Sequence, residues 1–226
     1  MSAGWPPIAG VVVAAGRGTR AGLDKVWADL GGRPLLLHSV ATLAACGIRP
    51  LVLVVAPERL AAAHGLPDVD RVVPGGERRR DSVQNGLLAL PAEAEGVLVH
   101  DGARPFVSPA VVAATVAAAL EVGAAVPGVP LVDTVKRVRA DRVVETVPRE
   151  ELRAVQTPQV FRRALLQAAL ERFAEDVSDE AALVERLGQP VAVAPGDPAN
   201  FKVTTAEDLE RARALVARRV AGATGG

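Results

Sequence analysis

The sequence predicts an α/β fold: a mostly parallel sheet with helices on both faces, plus a protruding β-hairpin arm for dimerisation. Three observations predict it. Short, β-branched apolar runs alternate with longer helical patterns along most of the 226 residues. Two of those helical patterns open on recognisable caps, Ser108 before Pro109 and Thr205 before Glu207 and Asp208. Residues 133–153, DTVKRVRADRVVETVPREELR, break the alternation, with β-branched and charged residues alternating about Ala140-Asp141.

The elements follow in order. Ile8 to Ala14 reads as a buried strand that enters the glycine loop AAGRGTRAGLDK. A helix is expected over about Pro34 to Cys46. Strands follow at Pro50 to Ala56 and Arg71 to Val73, then a helix at Arg79 to Leu90 and a strand at Gly96 to His100. Pro109 to Glu121 is a helix and Ala124 to Val129 a strand. After the hairpin come helices at Arg162 to Ala174 and Asp179 to Leu187, a strand at Pro190 to Ala194 and a closing helix at Ala206 to Val220. This order is Rossmann-like, and its length suits one domain over residues 1–226 with 133–153 as the arm. A two-stranded hairpin is marginal alone, so a second subunit is the economical surface for it to pack on.

Composition excludes several functions. Lys+Arg and Asp+Glu stand at 26 each, which argues against a broad nucleic-acid or membrane patch and leaves basic residues to act locally. There are two Trp, four Phe and no Tyr, so stacking of bases on aromatic platforms is not the expected mode of recognition. The single cysteine, Cys46, lies in the apolar run SVATLAACG and reads as core. No run of about 18 apolar residues and no secretory leader stands out, so a cytoplasmic protein is expected.

The glycine loop invites two known templates and satisfies neither. Gly16, Gly18 and Ala21 match the dinucleotide fingerprint formally, but Gly22, Gly31, Gly32 and Pro34 interrupt any helix after them, and no acid follows about 20 residues on. The phosphate loop fails as well, because Lys25 stands between Asp24 and Val26. A long, extended, basic loop remains. Its glycines allow backbone N–H groups to converge on an anion, and Arg20 and Lys25 add two cations. A triphosphate suits it better than a dinucleotide.

In open α/β sheets ligands bind beyond the carboxyl ends of the strands. Four segments lie there: the glycine loop, PGGERRRDSVQNG at 74–86, HDGARP at 100–105 and PGDPANFKVTT at 195–205. Asp101 is a candidate ligand for a hard cation such as Mg2+, beside the anion-binding guanidinium of Arg104. His100 reads as packing rather than as a base. Gly75 and Gly76 permit close backbone approach, and Ser82 offers a hydroxyl suited to a base edge. The run Arg78 to Arg80 receives no specific role.

Taken together, AAGRGTR, Lys25, PGGERRRDSV, HDGARP, DTVKR, TPQ at 157–159 and NFKVTTAEDL at 200–209 resemble the 2-C-methyl-D-erythritol 4-phosphate cytidylyltransferases. The likeness runs from Val11 to Leu209. It implies transfer of CMP from CTP to 2-C-methyl-D-erythritol 4-phosphate, with pyrophosphate released, on the non-mevalonate route to isoprenoids. By resemblance, Arg20 and Lys25 stabilise the charged transition state at the α-phosphorus. Ala14, Ala15, Gly16, Gly18, Gly76 and Ser82 hold the nucleotide, and Asp101 serves it through magnesium. Arg104, Thr134, Arg149 and Lys202 hold the methylerythritol phosphate, with Arg149 and Lys202 aiming its attacking oxygen. Thr134 and Arg149 come from the neighbouring subunit's arm, so the resemblance implies a homodimer.

The chain departs from the family pattern at Asp24 and Val26, where proline and glutamine are common, and at Gly102 and Ser178, where alanine and threonine are usual. A carboxylate beside Lys25 is expected to offset part of its charge. The rival readings are a ribitol 5-phosphate cytidylyltransferase, which shares most motifs, and a molybdenum-cofactor guanylyltransferase, whose opening GLDKVWADLGGRPLL resembles but which lacks HDGARP and the arm. A non-catalytic regulatory module is a third, opposed by the joint presence of Arg20, Lys25, Asp101 and Lys202.

Overall fold

A computed structural model describes residues 7–16, 24–175 and 177–223, the last five by backbone alone. Strands β1 (Ile8–Ala14), β2 (Leu51–Val55), β3 (Arg71–Pro74), β4 (Gly96–Asp101), β5 (Ala124–Pro130), β6 (Val135–Arg139), β7 (Arg142–Val147), β8 (Arg153–Val155), β9 (Gln159–Arg162) and β10 (Ala192–Pro195) alternate with seven α-helices among the described residues. The helices are α1 (Leu36–Ala45), α2 (Leu60–Ala63), α3 (Arg79–Leu88), α4 (Pro109–Val122), α5 (Arg163–Arg172), α6 (Ala181–Arg186) and α7 (Ala206–Ala223). The main sheet runs β10-β5-β9-β4-β1-β2-β3, with β8 also paired to β5. Pairings of β1 with β2 and β4, β2 with β3, and β10 with β5 are parallel.

Strand side chains alternate between two cores. Val12, Leu53 and Leu98 pack with α1 and α4 on one face, while Val11, Val54 and Val99 pack with α3, α5 and α6 on the other. Strands buried on both faces explain the near-continuous apolar runs in the sequence. Ser108 caps α4 as expected, its Oγ accepting from Val111 N at 3.3 Å, and Thr205 Oγ1 accepts from Asp208 N at 3.1 Å at the start of α7.

Two strands were not expected. β9 lies between β4 and β5 and is antiparallel to both, and β8 continues the same edge of β5. Both are three or four residues long. Neither repeats often enough to show a period of two, and Gln159 is buried in the sheet although it is polar. Arg153 therefore belongs to the sheet and not to the arm, and Arg162 ends a strand where a helix was expected to begin.

The hairpin is present. β6 and β7 pair antiparallel, and Ala140 and Asp141 both have positive φ, 46° and 59°, the geometry of a two-residue I′ turn. Its valines Val138, Val143 and Val144 are exposed.

One packing contact carries a stability prediction. Gly86 lies in α3 against β1, where an added Cβ would sit 2.4 Å from Val11 Cγ1 and 3.0 Å from Val54 Cγ2. Gly→Ala in a helix ordinarily stabilises by about 1 kcal/mol, but overpacking between rigid elements costs roughly 1–3 kcal/mol. Val11 and Val54 are fully buried on neighbouring central strands, so the clash wins. Gly86→Ala is expected to lower the unfolding free energy by about 1–2 kcal/mol. A denaturant midpoint unchanged or raised would show that the helix simply moves outward.

Candidate active site

The carboxyl ends of β1, β2, β3 and β4 open onto a cavity of about 840 Å³. Ala14, Ala15, Gly16, Gly76, Ser82, Asp101 and Lys202, all predicted from sequence, line it together with Arg79. Arg20 and Gly18 lie outside the described residues. The loops fit closely: a Cβ on Gly75 would meet Ala15 Cβ at 2.3 Å, so glycine lets the β3–α3 loop close on the first loop. Ser82 Oγ accepts from Gly76 N at 3.1 Å and donates to the Arg78 carbonyl at 3.2 Å. The hydroxyl thus shapes the loop itself.

Asp101, the last residue of β4, is buried at the cavity wall. Its Oδ1 accepts from Arg79 Nη2 at 3.1 Å, and its Oδ2 lies 2.9 Å from Lys202 Nζ and 3.8 Å from Arg104 Nε. Burial opposes its charge, but Arg79 and Lys202 override that cost and hold the carboxyl well below the usual carboxylate range. Lys202 reaches it because Val203 N donates to the Ala103 carbonyl at 2.8 Å, laying the 200–205 segment along the HDGARP loop. Arg104 Nη1 donates to the Asn200 carbonyl at 2.9 Å, tying the same two segments.

The arginine run divides into three tasks. Arg78 bonds Asp81 at the start of α3, and Arg80 is buried, donating to the Leu170 and Ala174 carbonyls at the end of α5. Arg79 enters the site, bonding Asp101 and, through Nη1, both oxygens of the fully buried Glu180. Burial disfavours the Arg79 charge, and Glu180 and Asp101 more than offset it, so the guanidinium is held cationic. Sequence reasoning missed Arg79, Glu180 and Thr157. Three consecutive arginines look alike by charge, and only the placement of Arg79 at the first turn after a strand end distinguishes it.

His100 is wholly buried, as its packing role requires. Thr157 Oγ1 accepts from Asp101 N at 3.0 Å, so its proton faces His100 Nδ1, also at 3.0 Å. The Arg104 carbonyl, 3.2 Å from Nε2, can only accept, so Nε2 carries the ring proton and Nδ1 accepts from the hydroxyl. Burial pushes the imidazole down from 6.5 to about 4, against the pull of Asp101. Between those values the unfolded chain binds a proton that the folded chain refuses, so stability is full above pH 6.5 and falls as the pH drops toward 4. At ~1.4 kcal/mol per pH unit this group removes about 3 kcal/mol across that window. His100→Asn is expected to flatten the pH dependence of chemical unfolding there; an unchanged slope would mean that another group causes it.

Lys25 heads a 3-10 helix, Lys25–Trp27, and its Nζ donates to the Thr204 carbonyl beside Lys202. The expectation for Asp24 is corrected. Its carboxylate accepts from Arg59 Nε at 2.8 Å, and Arg59 lies over the Trp27 ring at 5.4 Å, so Asp24 is occupied by another cation and not by Lys25. Thr134 and Arg149 stand apart: neither lines the cavity, and Arg149 donates to the Val132 carbonyl at the base of the arm.

Residues 8–218 match the family model described as 2-C-methyl-D-erythritol 4-phosphate cytidylyltransferase. A protein of that name from Streptomyces coelicolor is 47% identical, the match covering 93% of this chain and 85% of that one. A bifunctional IspD/IspF enzyme from Anaeromyxobacter dehalogenans is 45% identical over 96% of this chain, which spans 59% of that enzyme's length. Among solved structures, the 2-C-methyl-D-erythritol 4-phosphate cytidylyltransferase of Thermus thermophilus superposes with a TM-score of 0.78 at 36% identity, covering 91% of this chain and 96% of that one. The 4-diphosphocytidyl-2C-methyl-D-erythritol synthase of Anaerococcus prevotii superposes at 0.81 with 30% identity, covering 92% and 97%.

Proposed function

The chain belongs to the 2-C-methyl-D-erythritol 4-phosphate cytidylyltransferase family, and from that premise we propose how its residues carry the family's reaction. CMP passes from CTP to 2-C-methyl-D-erythritol 4-phosphate, yielding 4-diphosphocytidyl-2-C-methyl-D-erythritol. A phosphate oxygen of the acceptor attacks the α-phosphorus. The new P–O bond forms as the bond to the β-phosphate oxygen breaks, and pyrophosphate leaves with that electron pair. No covalent protein intermediate is needed, so positioning and electrostatics carry the catalysis.

The observation that carries this reading is the meeting of Lys202, Arg104 and Arg79 on Asp101, which lines the glycine-rich cavity together with Arg79 and Lys202. The backbone from Ala14 to Gly16 with Gly76 receives the nucleotide, Arg20 and Lys25 face the reacting phosphorus, and Arg104 and Lys202 hold the acceptor phosphate. Asp101 offers one ionised carboxylate, and no group of three His, Cys, Asp or Glu side chains gathers among the described residues. That set fits Mg2+ held by Asp101 and mainly by the nucleotide's own phosphate oxygens. When bound, the ion neutralises phosphate charge.

Purified protein with CTP, Mg2+ and methylerythritol 4-phosphate should release pyrophosphate. Release only with ribitol 5-phosphate, or only with GTP and a pterin acceptor, would overturn the assignment. Among the described residues no helix is long and apolar enough to cross a membrane, and a cytoplasmic location fits these water-soluble substrates.

Thr134 and Arg149 complete the acceptor site from the arm of a second copy in a homodimer. Their distance from the cavity and the exposed arm valines support this. Arg149→Ala and Lys202→Ala homodimers should both be nearly inactive. Equal mixing then yields half heterodimers, each with one intact site, and about a quarter of wild-type activity by two-fold symmetry. No recovery in mixed dimers shown to form would place both residues in one chain's site.

A further inference from the structure

Glu180 holds its carboxyl at the start of α6 with none of the residue exposed, where burial raises its pKa and the Arg79 guanidinium opposes that rise. Isolated burial of such a group costs several kcal/mol, and a buried ion pair is rarely retained for stability alone. Its partner is specific. Both carboxylate oxygens accept from Arg79 Nη1, while Arg79 Nη2 turns to Asp101 Oδ1 at 3.1 Å. The two terminal nitrogens of one planar guanidinium are thus divided between a carboxyl in the core and one at the cavity wall.

The surroundings of Asp101 are asymmetric in consequence. On Oδ1 sits Arg79, whose side chain is 21% exposed and pinned from behind; on Oδ2 sits Lys202, 42% exposed and free to turn toward an arriving phosphate. An Arg79 released from Glu180 has five donors on a flexible stem and a triphosphate pocket in front of it. It would swing to the phosphates, strengthen ground-state binding and leave Asp101 Oδ1 without its partner.

Resting on the cytidylyl-transfer reading above, we infer that Glu180 is a positioning residue for this reaction. It acts through Arg79, holding the guanidinium on Asp101 Oδ1 so that Oδ2 is left to Lys202 and Arg104. It touches no substrate itself.

The test is a double-mutant cycle of Glu180→Gln and Arg79→Gln, read by turnover, by CTP calorimetry without acceptor and by the Arg79 side-chain N–H signals in nitrogen-15 NMR. Glu180→Gln is expected to lower kcat about 10-fold with CTP affinity undiminished, and to change kcat less than about 2-fold once Arg79 is already glutamine. A parallel loss of CTP affinity, or additive losses across the cycle, would reduce Glu180 to a brace between α6 and α3 and overturn the inference. The NMR signals need no acceptor, so they decide this point even if methylerythritol 4-phosphate proves the wrong substrate. Ordered Arg79 N–H signals in wild type that persist in Glu180→Gln overturn it; their loss supports it. Should Glu180→Gln fail to fold, Arg79→Lys keeps the charge without the fork. The inference expects a comparable fall in kcat, and full turnover in that variant overturns it.

Discussion

Asp101→Asn is expected to lower turnover by roughly 10²–10³-fold while leaving the protein folded. The carboxylate is the shared anion of Arg79, Lys202 and Arg104, which approach it at 3.1, 2.9 and 3.8 Å. An amide of the same shape removes the charge the three cations share, and Lys202 and Arg104 are left without their acidic partner. Arg79 retains Glu180, and Lys202 can turn to solvent, so the stability cost stays under about 3 kcal/mol, below that of a pair stranded in a closed core. Turnover suffers more, because in the proposed reaction Lys202 and Arg104 lose the group that aims them at the acceptor phosphate. CTP affinity is the discriminating measurement. Freed cations attract the triphosphate, so binding should hold or tighten as kcat falls. Turnover within about 3-fold of wild type would remove Asp101 from the centre of the site.

Much of this arrangement was legible in the sequence because it depends on chain order and strand ends. Ile8–Ala14, Leu51–Val55 and, up to its last two residues, Gly96–Asp101 are apolar, β-branched or both, and the parallel rule then places the loops that follow them on one rim. Asp101 and Lys202 stand 101 residues apart in the chain, yet the rule brings them together, and their atoms meet at 2.9 Å. What stayed hidden depends on side-chain direction. Arg78, Arg79 and Arg80 have one charge and one composition, and only the helix start at Arg79 sends each a different way. β9 was hidden for another reason. Four residues containing a buried Gln159 offer no alternation, and their place between β4 and β5 is decided by pairing over long sequence separations. Glu180 was invisible for a third reason: an acidic residue before a short helix is ordinarily a solvated cap, and its burial depends on the arrival of Arg79 from α3.

Lys25→Ala should separate the two roles that a lysine at a triphosphate can have. If its ammonium binds CTP equally in the ground and transition states, the substitution weakens CTP binding and leaves kcat alone. If it meets charge that develops only as the α-phosphorus becomes five-coordinate, kcat falls and CTP affinity scarcely changes. The local structure favours the second outcome. Lys25 sits on a 3-10 helix held by Trp27 N to the Asp24 carbonyl at 3.1 Å and Ala28 N to the Lys25 carbonyl at 3.2 Å. The adjacent carboxylate is drawn off to Arg59. The ammonium rests on the Thr204 carbonyl, two residues from Lys202, and Lys25 is not among the residues that line the cavity. A cation parked on a neutral acceptor gives up little when it turns to a phosphate that gains charge. The expected loss is roughly 10²–10³-fold in kcat, with less than about 5-fold change in the CTP dissociation constant. Equal losses in both would assign Lys25 to ground-state binding and leave the transition-state charge to Arg20.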